Sequence, residues 1–257
     1  MRALGLRLLL AVALAGLPGA VVGSGTGGTS STTAASVPAV AGARTLNFDV
    51  FLDDRAIGYQ RFALSPAADG LRIETRAEFA VRILGITAFS YDHANTETWR
   101  GGCLQSIESR TDSNGKLYTV RGQARGSALV VATKEGERRL DECVATFAYW
   151  DRRKLLPRER LLNSQTGEYL PVQIDALGRQ DVRIGARAVS VERFAIRGKG
   201  LDITLGYAAG SGEWVTLDSR LENGRTLRYR RKAAELYDLP TGGLHGSGSD
   251  LRRDAKS

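Results

Sequence analysis

Histidine, cysteine and long apolar runs are scarce in this chain of 257 residues. It contains two histidines, two cysteines and one methionine. One histidine, His245, lies in a polar C-terminal tail, which leaves His93 with carboxylates as the candidate ligand set. Because such a set suits zinc poorly, we predict no metal site, and we predict no cofactor. The cysteines do not form a C-x-x-C pair, which excludes a thioredoxin-like redox motif.

Several catalytic and binding motifs are also missing. The chain has no G-x-S-x-G elbow, and no glycine-rich phosphate loop opens a helix. The net charge is +8, but basic and acidic residues are mixed along the sequence. No stripe of basic residues is interspersed with aromatic residues, so we predict no nucleic-acid binding. A Ser-His-Asp arrangement stays open, because its members can come from anywhere in a sequence.

The N-terminus has the pattern of a secretory signal peptide. Arg2 and Arg7 precede an apolar run over residues 8–17, which small residues at 18–20 close. The run is about ten residues long, too short to span a membrane core of roughly 30 Å. We therefore predict a signal peptide over residues 1–23 and no transmembrane segment in the mature chain.

The compartment follows from this signal. No cysteine stands directly after the apolar run, so the pattern does not predict a lipid-anchored protein. We expect a soluble periplasmic protein, and an extracellular location is compatible with the same signal.

Composition divides the rest of the chain into three parts. Residues 24–43 are rich in Gly, Ser, Thr and Ala and carry no charge before Arg44, which predicts a flexible linker. Residues 240–257 are polar and rich in Gly, which predicts a disordered tail. Residues 44–239 form a single predicted β-rich domain, long enough to bury a substantial core.

Period-two alternation runs through this domain. Between residues 71 and 83, apolar or small side chains at odd positions alternate with mostly charged side chains at even positions. Turns such as Ser113-Asn114-Gly115 and Glu222-Asn223-Gly224 separate similar segments, as in hairpins. The pattern predicts an all-β antiparallel meander of ten or more strands, forming a strongly curved sheet or an incomplete barrel. Short helices are predicted near residues 152–163 and 232–238.

An outer-membrane barrel would alternate in the same way. Aromatic residues make up 7% of this chain and form no visible girdles, and the chain ends in a polar tail. These features favour a water-soluble sheet.

Cys103 and Cys143 form an even pair in a chain that is predicted to be exported. An oxidising compartment favours a disulfide between them. The alternative is two separate buried thiols.

The densest set of chemically useful side chains lies on one predicted strand. Residues at alternate positions from 89 to 99 share one face of such a strand, and they mix aromatic rings with an imidazole, an amide and a carboxylate. A second aromatic cluster lies at residues 147–150. Ligand-binding candidates from the two clusters are Tyr91, His93, Glu97, Trp99, Tyr149 and Trp150. The alternatives are a structural role in the core and, for Glu97, catalysis with a second carboxylate; we assign no catalytic residue.

Five short motifs carry a resemblance to a known family. They are V-x-L-D-D-R-x-I-G-Y at 50–59, Y-x-H-x-x-x-E-x-W at 91–99, T-x-x-N-G at 111–115, Y-W at 149–150 and L-L-N-x-x-T-G at 161–167. Over roughly residues 44–231, the chain resembles uncharacterised exported bacterial proteins that are defined only as a domain of unknown function. The resemblance implies no activity. The curved meander is also similar to the half-barrel of periplasmic lipoprotein carriers, which is an analogy of fold alone.

These observations favour a non-enzymatic role. A concave sheet lined with aromatic and polar groups predicts a binder or carrier of an amphipathic or lipid-like ligand. Two alternatives remain at this point: an envelope hydrolase that acts on glycans or esters, and an envelope scaffold that binds a protein partner.

Overall fold

The computed structural model describes residues 42–83 and 86–236. The predicted signal peptide (1–23), the linker up to residue 41 and the tail (240–257) lie outside the described residues. The strands are β1 (Arg44–Leu52), β2 (Arg55–Ala67), β3 (Gly70–Ile83), β4 (Ile86–Arg100), β5 (Cys103–Ser113), β6 (Lys116–Arg125), β7 (Ala128–Thr133), β8 (Gly136–Leu140), β9 (Arg160–Leu162), β10 (Tyr169–Pro171), β11 (Gln173–Ile184), β12 (Arg187–Gly198), β13 (Leu201–Ala208), β14 (Trp214–Arg220) and β15 (Thr226–Arg231). The helices are α1 (Arg152–Leu155) and a 3₁₀ helix (Ala233–Leu236).

One large antiparallel sheet dominates the fold. Thirteen strands pair in the order β11-β12-β13-β14-β15-β1-β2-β3-β4-β5-β6-β7-β8. Strands β8 and β11 form the two edges and do not pair with each other, so the sheet is an incomplete barrel. This confirms the predicted all-β meander. The pairing of β15 with β1 joins the two ends of the domain sequence in the middle of the sheet.

The sheet is strongly curved. The ring centroids of Phe79 on β3 and Tyr229 on β15 lie 6.1 Å apart, although these strands are three positions apart in the sheet. In a flat sheet the separation would be roughly 14 Å. Register shifts that interrupt the pairing, such as those after Val81 and Thr98, bend strands locally and contribute to this curvature.

The concave side of the sheet is filled by residues 141–172, which we call the crossing segment. This segment leaves the sheet after β8, holds α1 and the small β9–β10 sheet, and re-enters the large sheet at β11. Near its start, Val144 O accepts a hydrogen bond from Leu104 N on β5 (2.9 Å). Further along, Tyr149 O accepts one from Tyr207 Oη on β13 (2.9 Å). The crossing segment therefore spans the interior from one half of the sheet to the other.

A disulfide anchors the start of the crossing segment. Cys103 at the beginning of β5 is bonded to Cys143, which confirms the predicted pair. Arg158 reinforces the anchor, because its guanidinium donates to Cys143 O (2.7 Å) and to Gly102 O (2.9 Å).

The first helix is shorter than the sequence predicts. Helix α1 has four residues and begins after Asp151, whose carboxylate caps it by accepting from the Arg153 and Lys154 amides. Pro157 has no N–H with which to extend the helix, and Arg160–Leu162 forms β9 instead of a second helical turn.

Candidate functional site

The inward face of β4 carries the side chains that the sequence singles out. Burial alternates along this strand: Phe89, His93, Asn95, Glu97 and Trp99 are buried, and residues between them are more exposed. Because successive side chains of a strand point to opposite faces, these polar groups face the crossing segment.

A cavity of about 110 Å³ lies between this face and the crossing segment. Its walls come from β2, β3, β4, β14 and β15 on one side and from residues 146–165 on the other. The lining residues are Gln60, Phe62, Thr75, Ala77, Tyr91, His93, Asn95, Glu97, Thr146, Phe147, Tyr149, Trp150, Asn163, Ser164, Gln165, Leu217 and Tyr229.

Five of the six predicted ligand-binding residues meet at this cavity. Tyr91, His93, Glu97, Tyr149 and Trp150 line it, whereas Trp99 lies outside the lining. Trp99 instead packs edge-on against Trp150, with ring centroids 5.4 Å apart. The curvature of the sheet and the disulfide bring together two clusters that are some fifty residues apart in sequence.

Sequence reasoning found two aromatic residues of the crossing segment, Tyr149 and Trp150, but missed its polar contribution. Asn163 and Gln165, both buried, line the cavity but are not among the predicted residues. A signal for them existed, since both belong to the L-L-N-x-x-T-G motif, but nothing in the motif indicated that this loop folds inside the sheet. Thr146 was missed for the same reason, and Tyr229 was missed because it lies on β15, which curvature brings to the cavity from the other end of the domain sequence.

Glu97 is a buried carboxyl with three neutral donors. Its Oε1 accepts from Asn95 Nδ2 (2.8 Å), and its Oε2 accepts from Trp99 Nε1 (2.7 Å) and Thr146 Oγ1 (3.2 Å). Burial raises the pKa of Glu97, and the three hydrogen bonds oppose this rise. No Lys or Arg in the described part of the chain forms an ion pair with it.

His93 is held as a neutral imidazole. Its Nδ1 lies 2.8 Å from Oγ1 of the fully buried Thr111. Burial, assisted by the charge of Arg76, lowers the pKa of His93 from 6.5 to about 4. Burial also raises the pKa of the Tyr91, Tyr149 and Tyr229 phenols. His93 and these tyrosines are therefore uncharged near neutral pH.

The depressed pKa of His93 predicts a specific loss of stability in acid. The unfolded chain binds a proton at His93 near pH 6.5, whereas the folded protein does so only near pH 4. This contribution to the free energy of unfolding is complete above pH 6.5 and is lost as the pH falls toward 4, by about 3 kcal/mol in all.

Urea unfolding between pH 7 and pH 4 measures this loss in the wild type and in a His93→Gln variant, both in a His245→Gln background. The His93→Gln variant should lack the loss of stability that His93 causes in acid. The opposite trend from Glu97, whose raised pKa favours folding in acid, should persist in both proteins. Parallel curves would contradict a buried neutral His93.

Two amide atoms at the cavity have no hydrogen-bond partner. Asn95 Oδ1 and Asn163 Nδ2 are both buried and unpaired among the described residues. The orientation of Asn163 is set by its other atom, because Oδ1 accepts from Gln165 N (2.9 Å). Each of these atoms has less than 1 Å² of accessible surface, so leaving it unpaired costs the folded state free energy.

Two further features concern metals and membranes. In residues 42–83 and 86–236, no group of three or more His, Cys, Asp or Glu side chains is arranged to hold a metal ion. None of the helices in those ranges has the length and apolar content needed to cross a bilayer.

The fold and the site together define an open, barrel-like antiparallel β protein whose concave side encloses a small cavity under a crossing segment. Residues 48–232, well over half of the chain, match the model of a domain of unknown function, DUF6134, and the chain belongs to that family. This confirms the resemblance seen in the sequence motifs.

A solved structure shares the fold. The chain is similar to a beta-barrel-like protein of a domain of unknown function, DUF1849, from Brucella abortus, with 13% identity and a TM-score of 0.52. The match covers 73% of this chain and 94% of the other. No curated protein is significantly similar to this chain.

Proposed function

We propose that this protein is a non-enzymatic binder that holds one end of an amphipathic, lipid-like molecule in the cavity beneath the crossing segment. The observation that carries the proposal is a partly open cavity lined with aromatic rings and with a few polar side chains, among them those of Gln60, Asn163 and Gln165. Apolar walls with a few oriented polar groups are typical of ligand sites.

The size of the cavity limits what it can hold. At about 110 Å³ it is smaller than the roughly 300 Å³ at which pockets for drug-sized ligands begin. It therefore suits one end of a ligand, and the remainder must lie outside it.

The contacts around Glu97 and His93 favour binding over hydrolysis. Glu97 is the only carboxyl group among the described residues that line the cavity, whereas glycoside hydrolysis uses two carboxyl groups. His93 Nδ1 lies against a fully buried threonine rather than an accessible nucleophile.

We further propose that the protein works in the periplasm after cleavage of residues 1–23. The pattern of the N-terminus supports export, and the Cys103–Cys143 disulfide fits an oxidising compartment.

Filling the cavity tests the binding proposal. Ala77 is buried on the inward face of β3 and lines the cavity, whereas Ala80, on the same strand, points outward. Native mass spectrometry of protein purified from its own cell envelope should show a bound amphiphile in the wild type and in Ala80→Leu. Ala77→Leu should reduce the bound fraction at least tenfold, because its side chain occupies the space of the ligand.

Circular dichroism controls for folding of both variants. A wild-type protein without ligand, or a folded Ala77→Leu variant that retains it, would refute the proposal. If the wild-type protein carries no ligand, the buried polar face has a purely structural role. If the ligand-free chain also captures an envelope protein, that result favours the scaffold alternative.

A further inference from the structure

We propose that the Cys103–Cys143 disulfide is a reversible thiol–disulfide exchange site, which a partner carrying a dithiol reduces and re-forms. The inference is independent of the proposed ligand, since it rests on the surroundings of the two sulfur atoms. Cys143 is exposed and Cys103 is half-buried, so the bond lies at the surface of the protein and not in its core. Access of the attacking thiol is one of the factors that set the rate of exchange.

A guanidinium group lies beside one of the sulfurs. Arg158 Nη2 is 3.3 Å from Cys143 Sγ. No carboxylate in the described part of the chain forms an ion pair with Arg158, and the nearby Asp141 carboxylate pairs with Arg139 instead (2.6 Å). A positive charge next to a sulfur stabilises its thiolate, and a stabilised thiolate is the better leaving group. Cys143 is therefore the sulfur that leaves when the bond is broken.

The exchange takes two steps. A thiolate of the dithiol attacks Cys103 Sγ to form a mixed disulfide, and the electron pair of the broken bond goes to Cys143 Sγ, which leaves as a thiolate beside Arg158. The second thiol of the partner loses its proton and attacks the partner's own sulfur in the mixed disulfide, so that Cys103 leaves and is protonated. The dithiol is oxidised to a disulfide, the protein is reduced to one thiol and one thiolate, and one proton is released.

The arginine also holds the two sides of the site together without the help of the disulfide. Its Nη1 donates to Cys143 O (2.7 Å), and its Nη2 donates to Gly102 O on the opposite side (2.9 Å). Leu104 N donates to Val144 O (2.9 Å) and adds a third link. None of these three bonds to carbonyl oxygens uses a sulfur atom, so they persist after reduction and keep the two sulfurs close. Because proximity raises the effective concentration of reacting groups, the bond can re-form in the folded protein.

Alkylation of the reduced protein tests the role of Arg158. The purified protein is reduced with a phosphine, separated from it and pulsed with iodoacetamide at pH 6.5, and peptide mass spectrometry compares the two cysteines. Cys143 should react at least tenfold faster than Cys103, because the thiolate is the reactive form. Circular dichroism of the reduced protein should show that it remains folded.

Three variants separate the charge of Arg158 from the exposure of Cys143. Arg158→Gln removes the charge and should slow alkylation of Cys143 at least fivefold. Arg158→Lys keeps a positive charge and should retain most of the wild-type rate. Arg153→Gln removes an exposed arginine of the neighbouring helix α1 and should leave the rate unchanged.

Reduction of the oxidised protein by dithiothreitol at pH 7 completes the test. The wild type and Arg153→Gln should be reduced at least fivefold faster than Arg158→Gln, and oxidised dithiothreitol should restore the bond in the folded protein. If the protein is reduced only as fast as it unfolds, or unfolds once it is reduced, the disulfide is purely structural and the inference is overturned. Equal alkylation of Cys143 in the wild type and in Arg158→Gln would overturn it as well, as would a loss in Arg158→Lys as large as that in Arg158→Gln.

Discussion

Replacing both cysteines with alanine should lower the free energy of unfolding by about 4 kcal/mol. The disulfide closes a loop across a sequence separation of 40 residues, and removing it returns the corresponding chain entropy to the unfolded state. Because Cys103 is half-buried and Cys143 is exposed, the alanines should leave no large void that would add to the loss.

Urea unfolding of the oxidised wild type and of the Cys103→Ala/Cys143→Ala variant measures this difference. Wild-type protein unfolded in reductant is the control, and its midpoint should approach that of the double variant. A loss below about 1 kcal/mol would contradict the loop-closure account, and would mean that the hydrogen bonds between β5 and the crossing segment anchor the segment by themselves.

Truncation of Trp99 should cost about 3–5 kcal/mol of stability. The side chain is 2% exposed, packs against Trp150 and donates to Glu97 Oε2. Trp99→Ala therefore opens a void in the core and removes one of the three donors that hold a buried carboxyl.

A Trp99→Phe variant separates these two effects. It retains most of the ring but lacks the N–H, so chemical denaturation should show a smaller loss, about 1–3 kcal/mol. Because Trp99 lies outside the cavity lining, a folded Trp99→Phe should still bind amphiphile. Loss of binding without loss of stability would instead place Trp99 in direct contact with the ligand.

The strands and their faces were predictable because alternation is a local property. Each of His93, Asn95 and Glu97 occupies an odd position on β4, and a strand places all odd positions on one side. The disulfide was predictable from the number of cysteines and the expected compartment. Family membership was visible in short motifs that the family model then confirmed.

The cavity was not predictable from any one segment. It forms where strands from both ends of the domain sequence, β3 and β15, come close through the pairing of β15 with β1. The loop that closes it, with Asn163 and Gln165, has an irregular backbone and therefore carries no periodic signal of burial.

The sequence by itself therefore determined the all-β class, the inward face of β4 and the family of this protein, because each depends on neighbours along the chain. Only the tertiary structure decided that the crossing segment folds inside the sheet, that Trp99 lies beside the cavity instead of within it, and that Asn95 and Asn163 leave one acceptor and one donor unpaired. The physical reason is that burial and hydrogen bonding depend on which distant segments come into contact. The curvature of the whole sheet, to which many strands contribute, decides which segments those are.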